Sequence, residues 1–579
     1  MPKIWRKFPH DAARIRDLEQ SARIPAVVAQ LLICRGIIDP RQVREFLDPK
    51  LTQLRDPAEL PGIPNAVEEI MAAVATQQPI VVYGDYDADG MTATAILYDC
   101  LRLLGAVVSY YVPNRLDEGY GLNEDAIRQL AARGTKLLVT VDCGIASWEL
   151  ADTARELGLR LVITDHHEFG QHLPAAHAIV HPRLPGSAYP FGELCGAGVA
   201  FKLAWALCQH ASQSKKVTEK LRHYLLQAVG LAAIGTVADV VPLIDENRVL
   251  VRYGLTSILQ YPVLGLEKLL SLTKLRQKQQ LDAEDIGFNI APRLNAAGRL
   301  GQATLGVELL TTTNPERAAA LAEYLHDLNS SRDSIERSIY LAALKQAQEQ
   351  YDPVGDAALV LAGKEWHPGV IGIVAGKLAD KFHRPVVMIA LDEMGIKPGV
   401  GSARSVPGVN LHHSLAACAE YLLTHGGHAA AAGLKIDPAQ VDNFREAFVR
   451  QIAAEFAHAS GPAELSIDAE TTFSALTMKV VEQLEQLAPF GHGNTRPMLC
   501  ASDVELIEPP KRMGGDGRHL SLRLVQHGTR IRGVAFGAGE WAEALQAHGG
   551  PVQLAFRPVI NEFQGRRSVE IQITDWQGQ

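Results

Sequence analysis

Along this chain, short runs of β-branched and aliphatic residues end abruptly in acids. Val81-Val82-Tyr83-Gly84 runs into Asp85-Tyr86-Asp87-Ala88-Asp89-Gly90, Leu137-Leu138-Val139-Thr140-Val141 into Asp142, and Leu161-Val162-Ile163-Thr164 into Asp165-His166-His167. Apolar runs of about four to eight residues with a polar break read as strands buried on both faces of a parallel sheet. Strand patterns at 80–84, 106–112, 137–142, 160–164 and 178–180 alternate with helical stretches such as Met91 to Leu104 and Asn123 to Arg133, which predicts a mostly parallel α/β sheet. Short helices are predicted before it, over Ala12 to Arg23, Pro25 to Arg35 and Pro40 to Leu47, with a longer one over Ile63 to Ala75.

Residues 195 to 350 read as helical, and the charged stretch Leu328 to Arg337 as a solvated connecting helix. A second α/β block opens near Ala357, with strands at Ala358 to Leu361 and Pro385 to Ile389 and a glycine-rich segment from Gly426 to Gly433. From about Ala463, strand patterns at 520–525, 530–536 and 552–560 with turn signals between them predict a small β-barrel. The expected organisation is an N-terminal helical segment (1–75), a first α/β domain with a helical insert (76–325), a connecting helix (326–350), a second α/β domain (351–460) and the barrel (461–579).

Ligands of parallel sheets bind beyond the carboxyl ends of the strands, so the three acidic breaks gather on one edge. Packed carboxylates raise one another's proton affinity, and a cluster this dense is costly unless cations neutralise it. Carboxylates mixed with imidazole suit Mn²⁺ or Mg²⁺, and the expectation is a two-metal phosphoesterase centre. Asp85, Asp87, Asp89 and Gly90 also match positions of an EF-hand loop, but Ile96 stands where the bidentate glutamate belongs and a strand pattern precedes the loop. The Asp165-His166-His167 turn offers a metal ligand, its orienting partner and a group for a substrate phosphate. Asp239 ends a very apolar helical run from Tyr224, where a carboxylate is expected to be partly buried and paired or metal-bound.

Composition narrows the partners. The chain has 579 residues, 47% apolar, with a net charge of −9, so a nucleic acid must be met by a local basic surface rather than by the whole-molecule field. Seven scattered cysteines, none in a CxxC pair, exclude a zinc ribbon and a disulfide framework and predict reduced core thiols. No signal-peptide-like or membrane-spanning run occurs, and the expected location is the cytoplasm.

The order Asp87 with Asp89, then Asp142, then Asp165-His166-His167, then Asp239 resembles the four motifs of the DHH phosphoesterase superfamily. Pro292 to Arg299, Gly401-Ser402-Ala403-Arg404-Ser405 and Gly426 to Gly433 resemble its DHH-associated domain. The resemblance covers essentially the whole chain. It implies two α/β lobes, a DHH domain with a mostly parallel sheet and a DHH-associated domain, joined by a long helix, plus a C-terminal OB-like barrel. It implies Asp87, Asp89, Asp142, His166 and Asp239 as metal ligands, with Asp142 bridging two ions, Asp85 and Asp165 behind them, and His167 at the scissile phosphate. Arg115, Arg293, Arg299, Ser402 and Arg404 become candidates for an anion pocket, since guanidinium groups fit phosphate bidentately. Gly426, Gly427 and His428 would bring backbone amides to the phosphates, with a tight structural turn as the competing reading. Two departures stand out: Tyr83 where some members have histidine, and His181-Pro182 where relatives often have Asn-Pro, read as structural.

The activity implied is a metal-dependent, single-strand-specific 5′ to 3′ DNA exonuclease that releases nucleoside 5′-monophosphates in repair and recombination. The resemblance also implies a monomer working with a single-stranded-DNA-binding protein and a recombination helicase. A hydrolase of short RNA or cyclic dinucleotides is the alternative within the superfamily, and a non-catalytic DNA-binding scaffold the alternative outside catalysis. The barrel would hold single strands by a basic track and stacking rings, for which Phe536, Phe556 and Phe563 are available, one of them expected to be exposed.

Overall fold

The computed structural model describes all residues except 1–2, 116, 120, 353–354, 457–463 and 579, so the boundary expected at 460/461 lies outside the described residues. The chain forms two compact units, one of residues 56–239 and 254–461, the other of 1–55, 240–253 and 462–579.

The larger unit carries both α/β lobes. Its first sheet is five-stranded and parallel throughout, in the order Val108–Tyr111, Ile80–Tyr83, Leu137–Val141, Arg160–Thr164, Ala178–Val180. Every residue of the Ile80–Tyr83 and Leu137–Val141 strands is buried, as their unbroken apolar pattern requires. Helices start where side chains can cap them: Asp87 accepts the Gly90 amide before the Ala88–Leu103 helix, and Asn123 accepts that of Ala126 before Glu124–Ala132. The second sheet runs Thr424–Gly427, Ala431–Ile436, Gly399–Arg404, Val386–Leu391, Leu359–Lys364, and is antiparallel except for its last pair.

The connecting helix is longer than expected, running over Pro315–Gln350 instead of starting at 326. Its start is the Asn314-Pro315 pair: Asn314 accepts the amides of Glu316 and Arg317, and proline has no amide to leave unpaired at the first position. The stretch read as solvated is also partly enclosed. Asn329 and Glu336 are buried, Arg332 ties them together, and Lys377 pairs with Glu336. The cause is packing, since Ile339, Ala343 and Ala347 of the same helix join the core of the second lobe.

In the other unit a seven-stranded sheet closes through an added pairing of Leu499–Leu506 with His519–Gln526. Its interior is shared. Ile15, Leu18, Val28, Leu31, Leu32 and Val43 from the first helices form one core with Leu499, Val504, Leu520, Leu554 and Phe556. The strand Ile4–Lys7 pairs in parallel with Glu464–Ile467. Arg248 stitches the unit further, donating to the carbonyls of Phe46, Gln486 and Leu487 near the C-terminal ends of two helices, where a cation is favoured.

The aromatic expectation needs correction. Phe556 is buried, but Phe536 and Phe563 are both exposed, at 63% and 68%. Phe556 lies mid-strand facing the interior, whereas Phe536 follows the strand ending at Ala535 and Phe563 ends its own strand. All seven cysteines are free. Among the described residues no single helix is long and apolar enough to cross a membrane.

Candidate metal centre

Parallel strand order decides which acids meet. Leu137–Val141 lies between the strands that end before Asp85 and Asp165, so the carboxyl ends of three adjacent strands deliver Asp85 to Asp89, Asp142 and Asp165 to His167. Asp239 arrives separately, at the C-terminus of the Glu219–Ala238 helix. His166 Nε2 stands 3.2 Å from Asp142 Oδ1, 3.6 Å from Asp239 Oδ2 and 3.9 Å from Asp89 Oδ2. Three overlapping groups could each hold an ion: Asp89 with His166 and Asp239, Asp85 with Asp87 and Asp142, and Asp142 with His166 and His167.

Two glycines make this density possible. The helix Gly196–Ala211 points its N-terminus at the cluster, and the amides of Gly196 and Ala197 donate to Asp89 at 2.7 and 2.9 Å. A β-carbon at Gly196 would stand 2.4 Å from Asp142 Oδ1, and one at Gly235 would stand 2.3 Å from Asp89 Oδ1. Asp142 itself holds a left-handed backbone, φ 63°, uncommon outside glycine and found disproportionately at functional sites. The sequence reading missed both glycines; a glycine at a helix start or within an apolar helix was their only signal.

Charge is strongly perturbed here. Burial pushes Asp85, Asp89 and Asp142 above the usual carboxylate range, and neighbouring carboxylates reinforce it. Asp239 is pushed up to about 8 by burial and by Asp89 and Asp87. Burial, with His167 alongside, lowers His166 to about 4 and so leaves a neutral imidazole. His167 behaves oppositely: burial opposes its charge, but the bond to Asp165 overrides it and raises the ring to about 9.

Asp165 is fully engaged. It accepts from His167 Nδ1 at 2.8 Å and from the amides of His166, His167 and Ile145, so that despite burial it is held at about 2. A carboxylate with all these donors orients the turn instead of facing the cluster. His181, read as structural, accepts the Arg183 amide and meets the His167 carbonyl at 2.9 Å, while Arg183 also holds the His166 carbonyl. Tyr83 is buried in the apolar core and its hydroxyl donates to the Gly121 carbonyl at 3.0 Å.

The residues fit a divalent cation. Among the described residues, the buried His166 Nε2 and Asp85 Oδ1 have no hydrogen-bond partner, although buried polar atoms normally have one. An oxygen-rich set with one neutral imidazole suits a hard or borderline ion. Asp85, expected behind the ligands, stands in the same group as Asp87 and Asp142.

Beside this centre lies a cationic group. The Ala291–Arg299 helix is pinned to the acidic loop by Asn295, which accepts the Ala88 amide at 2.8 Å, and Arg299 reaches the second lobe by donating to the Gly369 carbonyl. Arg404 donates to Ser402 Oγ and the Ala403 carbonyl on the strand Gly399–Arg404. Burial lowers Arg404 and takes Arg299 down to about 10, and the charge of Arg115 lowers both further. Arg115 also lies over the Tyr86 ring at 4.9 Å. No carboxylate ion pair to Arg115, Arg299 or Arg404 occurs among the described residues.

Arg293 stands apart, bonded to His326 Nδ1 and the Asn289 carbonyl. The glycine-rich segment is a β-hairpin: Gly426 and Gly427 pair with Gly433 and Ala432, and the His428 amide is taken by the Ala431 carbonyl. That amide is therefore not free for a phosphate. Gly427 is required by the turn, since a β-carbon there would meet the Ala431 oxygen at 2.5 Å, whereas nothing lies within 4 Å of one at Gly426.

Comparison with known proteins agrees with this architecture. Residues 79–234 match the DHH family, N-terminal domain, residues 355–454 the DHHA1 domain and residues 467–575 the RecJ OB domain. The single-stranded-DNA-specific exonuclease RecJ of Bacillus subtilis is 36% identical over 99% of this chain and 70% of its own length. That of Escherichia coli is 35% identical over 96% of this chain and 97% of its own. The crystal structure of RecJ from Thermus thermophilus in complex with Mn²⁺ superposes with a TM-score of 0.83 at 31% identity, covering 99% of this chain and 79% of that one; its Mg²⁺ complex gives 0.77. A parallel sheet that gathers its acids at one edge, a second lobe, a closed barrel and full-length identity of this order have one reading: the chain belongs to the RecJ family.

Proposed function

We propose that this protein is a metal-dependent exonuclease that degrades single-stranded DNA from the 5′ end to nucleoside 5′-monophosphates. The observation that carries the reading is the set of carboxylates and the neutral His166, whose buried Nε2 makes no hydrogen bond, converging beside Arg115, Arg299 and Arg404. Asp89, His166 and Asp239 would hold one divalent ion, and Asp85 and Asp87 a second, with Asp142 shared by both. When bound, the pair would supply Lewis acidity that activates a water and stabilises the leaving 3′ oxygen.

The chain's own residues do the rest. Asp165 fixes the His167 ring in a charged state facing the cluster, suited to meet a non-bridging phosphate oxygen. The arginine group is placed to receive the 5′-terminal phosphate, and burial strengthens each of its contacts because water competes less. Exposed Phe536 and Phe563 offer stacking faces for a single strand on the barrel. The same reading expects a monomer in the cytoplasm, with a single-stranded-DNA-binding protein and a recombination helicase as partners.

The test is hydrolysis of 5′- and 3′-labelled single strands and blunt duplexes with Mn²⁺, Mg²⁺ or EDTA. Mononucleotide release from the 5′ end of single strands alone, abolished by EDTA, is expected; cleavage from the 3′ end or equal duplex cleavage would overturn it.

A further inference from the structure

Immediately before the helix that carries Arg293, Asn295 and Arg299, the chain makes a single π-helical turn, Ile286–Ile290. Such turns are rare, bond less favourably than α-helix and occur frequently at functional sites. Ile286 and Ile290 anchor the turn in the core, but Phe288 between them is 77% exposed. A phenylalanine contributes to a fold through burial, and this one is left in water. The rare turn and the exposed ring occur together at one place in the chain.

Position gives the ring a use. Gly287 lies against Val237, two residues before Asp239, in the last turn of the helix that delivers that acid. On the other side, Arg293 closes over the turn by donating to the Asn289 carbonyl. Asn295 then fixes the following helix to Ala88, inside the acidic loop, and a β-carbon at Gly298 would meet the Tyr86 carbonyl at 2.0 Å. At 1.5 Å per residue, Phe288 precedes Asn295 by about 10 Å of helix. An apolar aromatic face is therefore carried on a turn that packs against the helix delivering Asp239 and leads into the helix pinned to the acidic loop.

We propose that Phe288 is a stacking platform for a nucleobase of the single strand close to the reacting phosphate, and so a positioning residue for substrate. The inference rests on the proposed exonuclease reading. Every base offers a π-face, so stacking on Phe288 holds a strand without reading its sequence, and it requires a base free of its complement. A paired base is stacked within its duplex and does not offer that face to the ring. Phe288 thereby favours single strands over duplex at this point of the path.

The experiment separates binding from hydrolysis. Wild type, Phe288→Ala and Phe288→Trp are compared for binding, by fluorescence anisotropy in EDTA, to oligonucleotides that are intact or carry one abasic residue walked along the strand from the 5′ end. For wild type, one or two abasic positions should weaken binding by about 5- to 150-fold, the range of one base–aromatic stack. Phe288→Ala should weaken binding of the intact strand by a similar factor and be insensitive to base loss at those positions. Phe288→Trp should retain both properties. Unchanged affinity of Phe288→Ala, or the same abasic profile as wild type, would overturn the proposal. Absence of any cleavage by wild type with Mn²⁺, with the abasic profile present, would instead overturn the exonuclease reading and leave the stacking assignment standing.

Discussion

Gly196 lies so close to Asp142 that a β-carbon on it would stand 2.4 Å from Oδ1, while its own amide donates to Asp89 Oδ2 at 2.7 Å. Gly196→Ala would improve helix propensity and yet displace the shared carboxylate. The expected outcome is a folded protein whose nuclease turnover falls more than about tenfold, roughly 1.4 kcal/mol of barrier. Circular dichroism and single-turnover rates at saturating Mn²⁺ check it, and wild-type turnover would show that the helix can shift to make room.

Asp142→Asn tests the sharing itself. Removing one buried charge from a like-charged cluster should raise the melting temperature of metal-free protein, because the remaining carboxylates repel less. Wild type should be stabilised by Mn²⁺, by about 2.7 kcal/mol at a hundred times the dissociation constant. The variant should lose most of that metal-induced gain and retain less than about a tenth of wild-type turnover. Thermal melts with EDTA and with a Mn²⁺ series decide it.

Arg404→Ala should damage end recognition more than chemistry. Arg404 lies in the second lobe with Arg115 and Arg299 as its cationic neighbours, whereas all the proposed ligands belong to the first. Wild type is expected to prefer a 5′ phosphate over a 5′ hydroxyl, and the variant to lose about tenfold of that preference, near 1.4 kcal/mol. A uniform rate loss with an unchanged ratio would assign Arg404 to holding Ser402 and its strand.

Deleting the barrel is not a clean test of strand binding, because residues from Ala469 onward share a core with Ile15, Leu31 and Val43. Point variants serve better. Phe536→Ala with Phe563→Ala should weaken binding of long strands by about 1–3 kcal/mol for each base that is stacked. The salt dependence should stay unchanged, since no phosphate contact is lost. Anisotropy over a salt series checks both; a changed slope with unchanged affinity would mean that these rings do not stack.

The sequence by itself determined the elements and most of the candidate centre. Strands such as Leu137–Val141 and capped helices such as Pro40–Leu47 are local: an unbroken apolar run or an Asp39 cap carries its own physical signal. All the acids but Asp239 were legible because they follow strands, and strands buried on both faces in a parallel sheet must release their polar residues at one edge; Asp239 was legible at the end of an apolar helical run.

Tertiary structure decided whatever depends on a partner distant in sequence. That a carboxylate oxygen of Asp85 lies with those of Asp87 and Asp142 in one group follows from the fold alone. Gly196 and Gly235 are ordinary helix glycines until the carboxylates of Asp142 and Asp89 arrive against them. Arg293 shares a motif helix with Arg299, yet one faces His326 and the other the second lobe, because residues six apart on a helix point in different directions. Exposure of Phe536 and Phe563, and burial of Asn329 and Glu336, followed from what packed against each position. Periodicity reports which face of an element is apolar, but only long-range packing determines what covers that face, so the shared core of the first helices and the barrel was beyond any local pattern.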